Sequence, residues 1–279
     1  MMDRRDGSFF FVPFDHIKKR VLVSGKVRQG PPSMHRVSVV IPTFDRPGYL
    51  AQAIESVLVQ QGADLEVLVA DNGTMRETAD EVARFGDRVK YLYSPIPGIG
   101  LARNAGVSAS TGDFIAFLDD DDLWTADKLQ RQLRAFDEHP RLEAVFGHMR
   151  QFLCPQVDRM QLEKVKHLDG QVIPAPLATS ILIRRSAWER VGPFDTSLQI
   201  GVDVDWYSRV CDSKIETLML PDVLYLRRIH QTNTNFTHSH EKNGRLLMLK
   251  RIIDRRRAAE EATCSSNVTA VQPKQGEKG

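Results

Sequence analysis

Four short apolar runs, separated by segments of helical periodicity, set the tightest limit on how this chain can fold. Val37-Ser-Val-Val-Ile41 is β-branched and bounded by Pro42, as expected of a buried strand. Pro47 suits the first position of a helix, and Leu50, Ile54, Val57 and Leu58 then follow helical spacing as far as Gln60. Leu65-Glu-Val-Leu-Val-Ala70 is a second strand, followed by a helix near Glu77–Arg84 and a third strand, Val89-Lys-Tyr-Leu-Tyr93. A glycine-opened helix from Gly98 to Ser110 leads to a fourth strand, Phe114-Ile-Ala-Phe-Leu118. Strands and helices alternating over short connections predict a mostly parallel central sheet flanked by helices, an α/β sandwich. Ligands of such sheets lie beyond the carboxyl ends of the strands. Thr43 and Asp45, Asp71, and Asp119 to Asp122 stand at three of those ends, which points to one shared cleft.

The second half is less regular. Glu143–Phe146 and Ala178–Ile183 read as strands, and Asp203–Cys211 as a helix. Glu216–Leu220 and Val223–Leu226 read as two short strands, and Ser239 to about Ala258 as a basic helix. From Ala259 to Gly279 the chain is polar and rich in small residues, the composition of a disordered tail. With 42% hydrophobic and 27% charged residues the chain can bury a full core, and a net charge of +2 gives no sign of nucleic-acid binding. Three scattered cysteines without a CxxC pair speak against a disulfide framework or a cysteine zinc site. They fit a reducing, cytoplasmic setting.

Asp119-Asp-Asp-Asp122 directly follows the fourth strand. Adjacent carboxylates repel one another, and gathering them at a strand end is costly without a cation. Mg²⁺ and Mn²⁺ prefer oxygen ligands, often one or two carboxylates together with substrate phosphates. The competing reading is a solvated acidic loop capping the helix that starts near Ala126. Position after a sheet strand, with Asp71 ending a second one, favours the metal.

Four segments in order carry a family resemblance: Val37-Ser-Val-Val-Ile-Pro-Thr-Phe-Asp-Arg46, Val69-Ala-Asp-Asn-Gly-Thr74, Gly100-Leu-Ala-Arg-Asn-Ala-Gly106 and Ala116-Phe-Leu-Asp-Asp-Asp-Asp-Leu-Trp124. Together they resemble the family 2 glycosyltransferases, inverting enzymes of the GT-A fold, with weaker similarity continuing to His230. The resemblance implies a GT-A domain over 36–238, with a nucleotide-donor half (36–124) and an acceptor half (125–238). An N-terminal extension (1–35), a basic C-terminal helix (239–258) and a disordered tail (259–279) complete the expected organisation.

Carried over residue by residue, the resemblance makes Pro42, Thr43 and Asp45 the nucleotide-binding loop and Asp71 the acid that bonds the base or ribose. Arg103 and Asn104 fall on the helix that closes over the donor. The aspartate run matches the Asp-x-Asp motif, with Asp121 the direct metal ligand and Asp119 on the ribose or a metal-bound water. Asp120 and Asp122 share these roles, and His230 is the further candidate for the metal or diphosphate. Gly201-Val-Asp-Val-Asp-Trp206 resembles the acceptor-side segment. It makes Asp203 the catalytic base and Asp205 a cap or supporting residue, with Trp206, and less clearly Trp188, packing on a sugar or simply in the core. Arg227 or Arg228 is placed to offset phosphate charge.

Three departures stand out: Asp45 where the family often has Asn, Asn72 where many members have a second Asp, and Val202 where Glu is common. The implied partners are a UDP-, dTDP- or GDP-linked sugar donor, a divalent metal ion, and a glycan, lipid-linked or small-molecule acceptor. Two other readings compete. A catalytically degenerate sugar-nucleotide-binding or scaffold protein would keep the fold without the chemistry. A sugar-1-phosphate nucleotidyltransferase would need a glycine-rich loop after the first strand, where this chain has Pro-Thr-Phe-Asp-Arg. A Rossmann dehydrogenase is excluded because no GxGxxG follows that strand.

Two segments raise the question of a membrane. Phe9-Phe-Phe-Val-Pro-Phe14 is short, holds a proline and lacks a small-residue cleavage site, so it reads as a strap on the core or as a membrane or partner contact, not as a signal peptide. Glu241 to Arg257 carries seven basic and two acidic residues beside Leu246, Leu247, Leu249, Ile252 and Ile253. Such a helix docks on the domain or lies peripherally on an anionic membrane surface.

Overall fold

The apolar runs become the centre of one sheet. In the computed structural model, which describes residues 35–155, 163, 165, 168–230, 233 and 242–269, β1 (His35–Thr43) pairs in parallel with β2 (Ala63–Asp71) and with β4 (Phe114–Phe117). β3 (Val89–Tyr93) extends that parallel set beyond β2. The other strands are β5 (Leu123–Trp124), β6 (Ala144–Leu153), β7 (Val172–Ala175), β8 (Leu182–Arg184) and β9 (Thr217–Ile229). The order is β3-β2-β1-β4-β8-β6-β9-β5, with β7 on β6. β8 runs antiparallel to both β4 and β6, while β9 runs parallel to β6, so the second half is mixed. The carboxyl ends of β1, β2, β4, β6 and β9 consequently face the same way.

Alternation along the strands builds two cores. Val37, Val39 and Ile41 with Phe114 and Ala116 pack under α1 (Pro47–Leu58), α2 (Arg76–Ala83) and α4 (Lys128–Glu138). Val40, Ile115 and Phe117 face α3 (Ile99–Ser108), α5 (Arg185–Val191), α6 (Val202–Asp212) and α7 (Lys242–Thr269). Pro47 opens α1, as its fixed φ and missing N–H allow. α3 lies close on the sheet because Gly106 has no side chain; a Cβ there would collide with Val40 Cγ1.

Three expectations change. The two short strands before His230 are one, β9, running through Pro221; the missing proline donor is absorbed where the β6–β9 register shifts around Gly147 and His148. Ala178–Ile183 is not one strand: Ala178–Ser180 is a tight helical turn, held by the Ser180 hydroxyl on the Ala175 carbonyl, and only then does β8 begin. The C-terminal helix does not end near Ala258 but continues to Thr269, since Ala258-Ala-Glu-Glu-Ala262 is a run of strong helix formers. The Phe9–Phe14 patch and residues 270–279 lie outside the described residues.

Candidate functional site

The site forms where the parallel strands end. β1 beside β4 brings Thr43 onto the aspartate run: its hydroxyl donates to Asp120 Oδ2 at 2.7 Å, with the Phe44 amide at 3.4 Å from the same oxygen. Arg46, one turn further, reaches Asp120 Oδ1 at 3.3 Å and Asp121 Oδ2 at 2.7 Å. His230 follows β9 directly, and its Nε2 lies 2.9 Å from that same Asp121 oxygen, with the imidazole against the Tyr49 ring at 4.9 Å. Arg228 cradles the run from behind. It donates its amide to Asp122 Oδ1 at 2.9 Å and its Nε to the Asp121 carbonyl at 3.0 Å, and its guanidinium lies over Tyr49 and Phe152.

Asp120, Asp121 and Asp122 are all buried. Burial, then the adjacent Asp121 charge, push Asp120 up to about 7 against the pull of Arg46 and Thr43. Burial and the charges of Asp121 and Asp119 hold Asp122 well above the usual carboxylate range. Burial acts against Asp121 too, but the His230 hydrogen bond and the Arg46 charge outweigh it, leaving its pKa lowered. The pocket therefore carries more carboxylate than its cations comfortably balance, with its most acidic group next to an imidazole. Asp121 and His230, hydrogen-bonded to each other, offer a carboxylate oxygen and an imidazole nitrogen side by side, donor types that suit Mn²⁺ or Mg²⁺ with substrate oxygens completing the shell. Among the described residues no three His, Cys, Asp or Glu side chains are grouped to hold a metal ion by themselves.

Arg103 links the two halves. Completely buried beneath Asp119 and Asp203, it donates Nη2 to Asp119 Oδ1 at 2.7 Å and Nη1 to Asp203 Oδ1 at 3.0 Å, with the Phe194 ring 5.1 Å below. Burial opposes its charge, yet the Asp203 and Asp119 carboxylates more than compensate and raise its pKa. The Ala178 amide donates to the same Asp203 oxygen at 3.2 Å, and the Thr179 hydroxyl to Asp119 Oδ2 at 3.2 Å. Asp203 Oδ2 has no hydrogen-bond partner among the described residues, and the side chain is 29% exposed. Asp205, by contrast, is 2% exposed, with Oδ2 held by Arg209 and Oδ1 by Arg255.

Asp71 ends β2. Its Oδ1 accepts the Gly73 amide at 2.8 Å and its Oδ2 the Tyr91 hydroxyl at 2.7 Å. Phe44, Tyr93 and Ile96 are exposed at this end of the sheet. Pro42 lies within β1 opposite Ala70, in the strand that delivers Thr43.

Several assigned residues do other work. Asp45 turns away, its Oδ1 taking the Thr74 and Met75 amides at 2.6 and 2.8 Å and its Oδ2 the Thr74 hydroxyl. At a φ of 53° it clasps the start of α2 and is not aimed at the cleft. The Asn104 amide is spent on the Phe194 backbone at 2.9 Å in both directions, a clamp between α3 and the 194 loop. Trp206 is 1% exposed, stacked near Trp188 at 5.2 Å, with its indole N–H on the Gly192 carbonyl. Both tryptophans are core and out of reach of a sugar. Asn72 spends its amide on the Ile96 and Gly98 carbonyls, pinning the loop before α3. Arg46, Thr179 and Tyr91 carry no signal in local spacing; only sheet order brings them to the carboxylates.

A sequence profile described as glycosyl transferase family 2 matches residues 38–192, more than half of the chain. An uncharacterized glycosyltransferase of Rickettsia felis is 35% identical over 115 residues, 40% of this chain and 19% of that protein. The Escherichia coli UDP-Glc:alpha-D-GlcNAc-diphosphoundecaprenol beta-1,3-glucosyltransferase WfgD is 38% identical over 99 residues, 35% of this chain and 39% of that protein. The chain thus matches only a fifth to two fifths of the length of these relatives. Among solved structures, the mannosyltransferase PcManGT of Pyrobaculum calidifontis, in complex with GDP-Man and Mn2+, superposes with a TM-score of 0.60 at 18% identity, covering 82% of this chain and 67% of that one. The likeness gives the fold, GT-A.

Proposed function

The chain belongs to glycosyl transferase family 2, and from that premise we propose that it transfers a sugar from a nucleoside diphosphate donor to an acceptor hydroxyl with inversion, assisted by a divalent metal ion. The observation that carries this reading is the split use of Asp203. One oxygen is anchored by Arg103 and the Ala178 amide, and the other is left for a ligand. Inversion needs a base on the face of the sugar opposite the diphosphate. Asp203 reaches the cleft from α6, while Asp119 to Asp122 reach it from β4, and Arg103 fixes the two sides relative to one another. A base so held accepts the acceptor proton in a defined orientation.

On the donor side, Asp71, steadied by Tyr91, would bond the base or ribose, while Thr43 holds Asp120 within the aspartate run that would meet the diphosphate. Asp121 and His230 would hold Mg²⁺ or Mn²⁺. When bound, that ion supplies positive charge where the departing diphosphate accumulates negative charge. Arg46 adds a fixed cation at the same place. The solved neighbour's complex with GDP-Man and Mn2+ and the relative named for UDP-Glc support a donor of this class. A degenerate binding protein would have no use for an anchored, half-free Asp203, and a nucleotidyltransferase none for an acceptor-side base.

The test is thermal stabilisation by a panel of nucleotide sugars with and without Mn²⁺, followed by transfer assays with the stabilising donor. Metal-dependent stabilisation by one donor, and product with inverted anomeric configuration, are expected. Stabilisation without turnover on any acceptor would favour the binding-protein reading.

A further inference from the structure

The last helix, α7, is apolar on two opposite sides, and only one of them is covered. Met248 and Ile252 are buried on the second core, with Met248 seated on Gly201, where a Cβ would collide with its sulfur. Three arginines bolt this inner side down: Arg251 to Asp195, Arg255 to Asp205 at 2.8 Å and to the Ser208 hydroxyl, and Arg256 to Asp212 at 3.1 Å. The helix is thus fixed in rotation, and what it turns outward is part of the fold. Leu246, Lys250, Ile253 and Arg257 follow at spacings of four, three and four residues, which puts them in one stripe at about 100° per residue. Leu246 is 62% exposed and Ile253 48%, with Leu247 and Leu249 also exposed on either flank.

We propose that this outer stripe of α7 is a docking surface for an anionic lipid bilayer, lying parallel to it with Leu246, Leu249 and Ile253 inserted among the headgroups. Charge selects the occupant. Lys250 and Arg257 stand within the apolar stripe and are exposed, and Lys250 pairs with no carboxylate among the described residues. Asp254 is the sole acid between Lys242 and Arg257. A second copy of this face would bring those cations together, whereas an anionic surface neutralises them while accepting the leucines. The helix, 28 residues long, is not apolar enough to cross the bilayer, so it binds at the surface. Because α7 packs on the start of α6, two residues from Asp203, binding there would set the orientation of the cleft toward the bilayer. The proposal does not depend on the reading of the donor site.

Co-sedimentation of the full chain with vesicles tests it, using phosphatidylcholine alone and phosphatidylcholine mixed with phosphatidylglycerol. Two variants accompany the wild type: Leu246→Ser/Leu249→Ser/Ile253→Ser and Lys250→Glu/Arg257→Glu. Both alter exposed side chains, and unchanged thermal unfolding establishes that they fold. Wild type is expected to pellet with the mixed vesicles and not with the neutral ones, with each variant weakened at least about tenfold. Failure of the wild type to bind mixed vesicles, or binding that survives in both variants, overturns the proposal. So does a dimeric mass in light scattering that the leucine variant converts to a monomer, since the stripe would then cover a second copy.

Discussion

Arg255 Nη1 sits 2.8 Å from Asp205 Oδ1, and with Arg209 on the other oxygen it removes Asp205 from the cleft. Two residues earlier on the same helix, Asp203 has one oxygen anchored and one without a described partner. The expected outcome of replacing each is therefore different in kind. Asp203→Asn should lower turnover by roughly 10²- to 10⁴-fold with donor affinity nearly unchanged. Asp205→Asn should keep turnover in the folded fraction but lose roughly 2 to 4 kcal/mol of stability, because two arginine contacts face a neutral amide. Steady-state kinetics beside urea denaturation separate them, and a dead but stable Asp205→Asn protein would reverse the assignment.

Asp121 meets both His230 and Arg46 through a single oxygen. Asp121→Ala should abolish the divalent-ion requirement along with nearly all transfer. It should also eliminate Mn²⁺ binding measured by calorimetry in the presence of the nucleoside diphosphate. Wild-type transfer by this variant would place the ion elsewhere.

The first half was legible because its signals are local: short apolar runs fix β1, β2 and β4, and the acids that end β2 and follow β4 mark the cleft. The second half was less so. Leu123–Trp124 is too short a strand to leave a pattern, and Pro221 looked like a break where β9 runs through. Asp45, Asn104 and Trp206 lie in the family motifs, yet the structure uses them as a loop clasp, a backbone clamp and core packing. A motif reports which residues matter without telling a ligand contact from the framework around it. Arg103 shows the reverse: burial between two carboxylates is a property of sheet order and helix packing, which no window of sequence contains.

Asp71 has its two oxygens oriented by Gly73 and Tyr91. Asp71→Ala should weaken donor binding about 10- to 150-fold, the equivalent of roughly 1.5 to 3 kcal/mol for a hydrogen bond to a charged group. Tyr91→Phe keeps the acid but frees its orientation, and should cost about three- to tenfold in donor affinity with turnover at saturation preserved. Titration calorimetry with the preferred nucleotide distinguishes the two, and an unchanged affinity in Asp71→Ala would remove this residue from the donor site.

Glu66 lies outside the cleft and controls stability through pH. Its side chain is buried on β2, where Oε1 accepts the Lys90 ammonium at 2.7 Å and the Thr111 hydroxyl at 3.1 Å. Oε2 accepts the Ser38 hydroxyl at 2.5 Å and the Thr111 amide at 2.7 Å. Burial works against ionisation, but the four donors outweigh it and bring the carboxyl from 4.5 down to about 2. The unfolded chain thus binds a proton in a pH range where the folded chain does not, so stability rises with pH across that range. The contribution is complete above the unfolded value of 4.5, declines as pH falls below it, and is gone once the folded group titrates near 2. Its full size is roughly 3 kcal/mol by linkage. Glu66→Gln cannot ionise, and its amide N–H₂ would oppose the donors on one side. The variant should be less stable than wild type at pH 7 by roughly that amount, and the gap should shrink steadily between pH 5 and pH 3. Urea midpoints for both proteins across that range measure the gap directly, and aspartates of the cleft cancel in the difference because both chains share them. A gap that stays constant with pH would mean that Glu66 is not held ionised by these contacts.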